Sequence, residues 1–83
     1  MKKLIIIGAG GHARAVLSAA KTMQNWEDFN ILDINFSNQE ETIMGCKVYS
    51  FEKVLEFNKE NYDYFIAIGD NNIRKSIFLR LNK

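Results

Sequence analysis

The strongest constraint on this chain is an apolar run that stops on a glycine, and it occurs twice. Lys3 to Ile7 (KLIII) ends at Gly8, and Tyr64 to Ile68 (YFIAI) ends at Gly69. A strand without a polar face must be covered on both sides, which is the pattern of a parallel strand sandwiched between helices. After each glycine the period changes. From His12 to Gln24, the residues Ala13, Val16, Leu17, Ala20 and Met23 recur at intervals of three and four, and this predicts an amphipathic helix. Beyond Gly69, the residues Ile73, Ile77, Phe78 and Leu81 mark a second helical stripe.

The middle of the chain repeats the rhythm more weakly. Phe29 to Asp33 (FNILD) predicts a second strand, reached through a turn over residues 25–28 in which Trp26 covers the end of the core rather than stacking a base. Ile34 to Met44 is polar and aperiodic, which predicts an exposed loop. Lys47 to Tyr49 fits a short edge strand, and Ser50 is placed to N-cap a helix burying Phe51, Val54 and Leu55. The five glycines all fall between elements. Alternating strands and helices imply right-handed crossovers, so the fold class is α/β with a Rossmann-like parallel sheet in strand order 3-2-1-4. In that order the first and last long strands are neighbours whose helices leave toward opposite faces. A crevice then opens at their carboxyl ends.

Composition limits what this fold can do. With 83 residues and no proline linker, the chain has room for one small domain, residues 1–83. A chain of this size buries roughly 60% or less of its unfolded surface, so its core is thin. Lys and Arg number 11 against 10 Asp and Glu, a net charge of +1 that gives no general attraction to nucleic acid or membrane. Recognition has to be local. Cys46 is the only cysteine, which excludes an internal disulfide framework and any multi-cysteine metal site and fits a reducing compartment, so a cytoplasmic location is expected. Cys46 has no visible base beside it and is read as a small packing residue. The run at Leu4 to Ile7 is far too short for a secretory h-region or a membrane span, and the chain is expected to be soluble and unprocessed.

Two constellations can carry binding. In the first, Gly8-Ala9-Gly10-Gly11-His12-Ala13 satisfies G-x-G-x-x-A between strand and helix. Gly8 allows the tight turn, Gly10 lets backbone approach a phosphate without a Cβ in the way, and Ala13 lets the helix pack close to the strand. The unpaired N–H groups and dipole at the helix start favour an anion, so the turn suits a diphosphate. The bland reading is a turn that merely joins strand to helix. His12, the only histidine, serves either as a packing or capping imidazole or as a donor to a ligand phosphate or sugar hydroxyl. No catalytic residue and no metal ligand set follows from it. Asp33 ends the second strand 20 residues after Ala13, where an acid accepts hydrogen bonds from ribose, and Asn35 can share that role. A solvated turn aspartate is the alternative.

The second constellation is Gly69-Asp70-Asn71-Asn72 followed by Arg74. Asp70 or Asn71 can N-cap the last helix without any ligand, and Arg74 is either an anion partner or an ordinary surface arginine. The topology nevertheless places this turn beside the first.

Taken in order, KKLIIIGAGGHARAVLSAA, the acid at Asp33, the Gly45-x-x-Val48 step and FIAIGDNNIRKSI resemble the N-terminal domain of bacterial PglD and NeuD type sugar acyltransferases. The resemblance runs over essentially all of the chain. Many relatives carry paired aspartates after the second strand, whereas here Asp33 is followed by Ile34 and Asn35. The resemblance implies a Rossmann-like domain that binds a nucleotide-linked amino sugar, commonly a UDP-sugar. It implies phosphate and sugar contacts from Gly8, Gly10, Gly11, His12, Gly69, Asp70 and Asn71, with Asp33 toward the nucleoside. It also implies that acetyl-CoA binding, the catalytic histidine and homotrimer formation belong to a left-handed β-helix of hexapeptide repeats, none of which occur in these residues. The expected role is therefore substrate binding for an N- or O-acetyltransferase of surface-glycan or sialic-acid biosynthesis, with no turnover by this segment alone. In isolation the segment is expected to be a monomer or weak dimer. A fragment of an NAD(P)-dependent oxidoreductase and a non-enzymatic ligand-sensing domain remain the competing readings.

Overall fold

The structure is a computed structural model that describes residues 2–36, 41–57 and 59–81; of Leu55 and Lys59 only the backbone is described. The elements are β1 (Lys2–Ile7), α1 (Gly11–Met23), β2 (Trp26–Asp33), β3 (Thr42–Ile43), β4 (Cys46–Ser50), two 3-10 segments (Phe51–Glu56 and Lys59–Asn61), β5 (Tyr62–Ile66) and α2 (Asn71–Leu81). They form one five-stranded sheet in the order β3-β4-β2-β1-β5. The four longer strands are mutually parallel, and β3 runs antiparallel to β4. Setting aside β3, this is the expected 3-2-1-4 order.

The apolar runs account for the sheet's interior. Along β1 successive side chains alternate faces, and Leu4, Ile5, Ile6 and Ile7 are all buried. Leu4 and Ile6 join Ala13, Leu17, Ala20 and Ile31 beneath α1, while Ile5 and Ile7 join Leu32, Phe51 and Ile77 on the opposite face. Each fully buried Leu or Ile contributes about 1.5–3 kcal/mol relative to exposure, so β1 is the hinge pin of both layers. At the amino ends of the strands, Trp26 Nε1 donates to Asp63 Oδ2 at 2.8 Å and Lys2 Nζ reaches Asp63 Oδ1 at 3.5 Å. This ties β2, β1 and β5 together at the end away from the glycine turns.

Several boundaries differ from the sequence-based expectations. Trp26 stands in β2 and not in a turn, because Lys2 pairs with it across the sheet and Asp63 holds its indole. The expected loop from Ile34 to Met44 contains β3, while residues 37–40 lie outside the described residues. β3 and β4 make a hairpin through Met44 (φ 51°) and Gly45 (φ 83°), two left-handed residues whose twist suits a two-residue loop. This hairpin buries Ile43. The segment after Ser50 is 3-10, capped by the Ser50 hydroxyl and closed by the Phe57 N–H on the Val54 carbonyl. Six residues are too few to repay an α-helical nucleus. Phe51 is buried and Val54 half-buried as expected, and the Leu55 side chain lies outside the described residues. The last strand spans Tyr62–Ile66, so Ala67 and Ile68 lie past its end.

The larger correction concerns the last helix. Of its expected stripe only Ile77 is buried, Leu81 is half-buried, and Ile73 and Phe78 are exposed. β5 is the outermost strand on that side, so little sheet lies beneath the helix's outer half. Near it, burial pushes the Tyr64 phenol above its ordinary 10.0, with Tyr62 adding to the rise. Among the described residues no helix is long and apolar enough to cross a membrane, and no group of three metal-ligating side chains comes together.

Candidate functional site

Parallel strands deliver their carboxyl ends to one side of the sheet, and three of them end together here. β1 runs into Gly8, β2 ends on Asp33 and β5 runs into Ala67. The Gly8 N–H donates to Leu32 O at 2.7 Å, and the Ala67 N–H donates to Ile7 O at 2.8 Å. These two bonds stitch the turn after β1 to both neighbours. Gly8 has φ +119°, and a Cβ built there would lie 2.6 Å from the Ala67 carbonyl oxygen. Glycine is required at this position by backbone conformation and by the approach of β5.

A cleft of about 430 Å³ opens above these ends. Its floor is Gly8, Ala9 and Gly10, one wall is Asp33 to Asn35 with Glu41, and the other is Ala67, Ile68 and Ile73. Gly10 is the N-cap of α1 and its carbonyl accepts from Ala13 at 3.0 Å and Arg14 at 3.3 Å. Having no side chain, Gly10 leaves the first-turn N–H groups without a side-chain cap. No acidic residue stands in that first turn, so the positive end of the helix dipole is not offset locally. A Cβ at Gly10 or Gly11 would meet nothing within 4 Å. The space above both residues is open.

On the acidic wall, Asp33 Oδ1 accepts the Asn35 N–H at 2.9 Å, an Asx-type turn that fixes the carboxylate at the strand end. Glu41 is the residue sequence reasoning missed. It sits on the approach to the β3–β4 hairpin, where its carbonyl accepts the Val48 N–H at 2.9 Å. Pairing of an aperiodic segment is not visible in the sequence, so nothing there marked Glu41. The apolar wall was also missed, although the YFIAI run passing beyond the strand end is the signal that supplies Ala67 and Ile68.

The structure separates the other expected residues. Gly11 and His12 begin α1, but His12 is exposed and lies edge-on to Phe65, with ring centroids 6.4 Å apart, outside the cleft lining. Gly69 and Asp70 are exposed. Asp70 Oδ1 accepts the N–H groups of Asn72 at 2.9 Å and Ile73 at 3.0 Å, which makes it the N-cap of α2. Arg74 donates to Asn71 Oδ1 at 2.8 Å, and both line a different groove between β5 and α2. Of the two turns, the first gives the cleft its polar floor and the second mainly an apolar wall.

The fold is shared with proteins of known structure. The acetyltransferase domain of PglB from Neisseria gonorrhoeae FA1090, in complex with acetyl coenzyme A, matches with a TM-score of 0.84 and 26% identity, over 98% of this chain and 38% of that one. A second structure of that domain matches with a TM-score of 0.85 and 25% identity, over 99% and 40% respectively. RSP, a Rex-family repressor, shares the fold with a TM-score of 0.74 at 23% identity, over 98% of this chain and 41% of that one. In sequence, glucose-6-phosphate 3-dehydrogenase of Bacillus subtilis (strain 168) is 46% identical over 56 residues, covering 68% of this chain and 16% of that protein. The chain thus spans well under half the length of each of these proteins. Residues 3–81 match the PglD N-terminal domain, and the protein belongs to that family.

Proposed function

We propose that the cleft binds a nucleotide-linked amino sugar, such as a UDP-sugar, as the substrate-holding part of an acetyl-CoA-dependent sugar acetyltransferase. The observation that carries the reading is the opening of the uncapped α1 N-terminus onto the same cleft as Asp33 and Asn35. A diphosphate over Gly8 to Gly10 meets free N–H donors and the positive end of the helix dipole. Ribose hydroxyls placed at the other end meet the Asp33 carboxylate and the Asn35 amide. Ala67, Ile68 and Ile73 supply a wall for the apolar face of a sugar or base. His12 and Arg74 stand outside this lining, so a part for them in sugar binding requires a ligand that reaches past the cleft.

In this reading the acetyl transfer itself, the acetyl-CoA site, the homotrimer and the cytoplasmic setting of glycan or sialic-acid synthesis all belong to a longer protein. Support comes from the family and from the PglB domain that binds acetyl coenzyme A. No residue of this cleft is assigned to the acetyl donor.

A second reading is a dinucleotide site. The Gly8 to Ala13 turn with Asp33 supports it, as does the dehydrogenase that is 46% identical over 56 residues. A vestigial cleft is disfavoured by the open volume of about 430 Å³ above Gly8 to Gly10. Titration calorimetry with UDP, a UDP-amino sugar and NAD separates the readings. Heat of binding is expected with UDP and the UDP-amino sugar and is expected to weaken in Asp33→Ala. Tight NAD binding with no response to either uridine compound overturns the proposal.

A further inference from the structure

We propose that Glu41 is a specificity-determining residue of the cleft, which admits nucleoside diphosphates whose ribose hydroxyls are free and turns away those with a phosphate on the ribose. The inference rests on the reading of the cleft as a nucleotide site and adds a residue which that reading does not use. Two carboxylates, Asp33 and Glu41, line the cleft, and among the described residues no lysine, arginine or histidine does. The positive pole is confined to the floor, where the uncapped start of α1 opens at Gly10. A bound diphosphate therefore has one favourable place. Any further phosphate lies against the wall, where it meets negative charge with no cation to offset it.

The hairpin that follows holds Glu41 at that wall. The Glu41 carbonyl accepts the Val48 N–H at 2.9 Å, and Val48 pairs with Ile31 of β2, on the same strand as Asp33. Ile43, just beyond Glu41, is buried in the core beneath α1. Lys21 of α1 secures the turn by donating from Nζ to the Met44 carbonyl at 3.1 Å. A backbone bond, a buried side chain and a contact from α1 thus fix the segment that presents Glu41.

A ribose hydroxyl donates a hydrogen bond and suits a wall of acceptors. The same oxygen carrying a phosphate has no proton to donate and brings added negative charge. Asp33 opposes that charge from the end of β2, and Glu41 opposes it from the approach to the hairpin, so two separate segments of chain guard the ribose end. Coenzyme A carries a phosphate on its adenosine ribose. The same wall therefore keeps the acetyl donor of a sugar acetyltransferase out of the cleft that holds the nucleotide sugar.

The test is calorimetry on the 83-residue chain with two matched pairs, UDP against UDP bearing a ribose 3′-phosphate, and NAD against NADP. The wild-type chain is expected to bind the member without the extra phosphate about tenfold or more tightly, a ratio that shrinks as salt is raised. Glu41→Gln is expected to narrow the ratio about threefold and Glu41→Lys further, with thermal unfolding reporting that both variants fold. A ratio unchanged in the folded variants overturns the proposal. So does equal affinity within a pair for the wild-type chain, or a wild-type ratio that does not respond to salt. The reading beneath it fails separately: no heat with the uridine pair, beside an NAD pair whose ratio depends on Glu41, ends the uridine assignment and upholds the role of Glu41. Absence of heat with all four compounds overturns both.

Discussion

The β1–α1 and β5–α2 units share one plan, an apolar strand, a glycine and a helix, yet they are finished differently. β1 is covered on both faces and paired on both edges, whereas among the described residues β5 is paired on one edge and leaves Phe65 half exposed. α1 buries Ala13, Leu17 and Ala20, and α2 buries only Ile77. At their starts the contrast is chemical. α1 begins on a glycine that leaves its N–H groups available, and α2 begins on Asp70, whose carboxylate consumes two of them. Two similar motifs thus take different parts: one an anion-ready floor, the other a closed cap and an apolar wall. A repeated sequence pattern specifies the local fold but not which copy is left open for a ligand.

The largest expected effect separates the two helices. Leu17→Ala should cost about 2–5 kcal/mol in urea unfolding, and Phe78→Ala less than about 1 kcal/mol. Comparable losses would show that α2 is packed more tightly than its exposure indicates. The two glycines come next. Gly8→Ala forces a Cβ onto the Ala67 carbonyl at a positive φ and should cost about 1–3 kcal/mol, while Gly69→Ala meets nothing within 4 Å and should change stability by less than about 0.5 kcal/mol. Equal effects would remove the distinction between the turns. The smallest effect concerns the caps. Asp70→Ala should cost about 1 kcal/mol of stability by loss of the cap, while leaving the affinity for UDP, measured by calorimetry, within about twofold. A large loss of affinity instead would move Asp70 from the helix cap into the binding site.

Much of the fold was legible because burial on both faces leaves no polar side chain from Leu4 to Ile7, and the YFIAI run, though Phe65 stays half exposed, has only the Tyr64 hydroxyl. The glycine turn between β1 and α1 was legible for a related reason, since the tight turn at Gly8 demands glycine. The edges were not. Trp26 belongs to β2 through partners at Lys2 and Asp63 that are remote in sequence, and Thr42–Ile43 becomes a strand only because β4 is there to pair with it. Glu41 reaches the cleft by the same non-local pairing, while Asp70 and Arg74 satisfy themselves within their own turn.

By itself, the sequence determined the alternation of strand and helix, the parallel sheet order and the place of the crevice, because periodicity and glycine placement are local properties. Only the tertiary structure decided which residues share the cleft, which helix start stays open and which strand lies at the edge of the described sheet. Those outcomes depend on strand order and on the helix that covers each face, and distant parts of the chain set both.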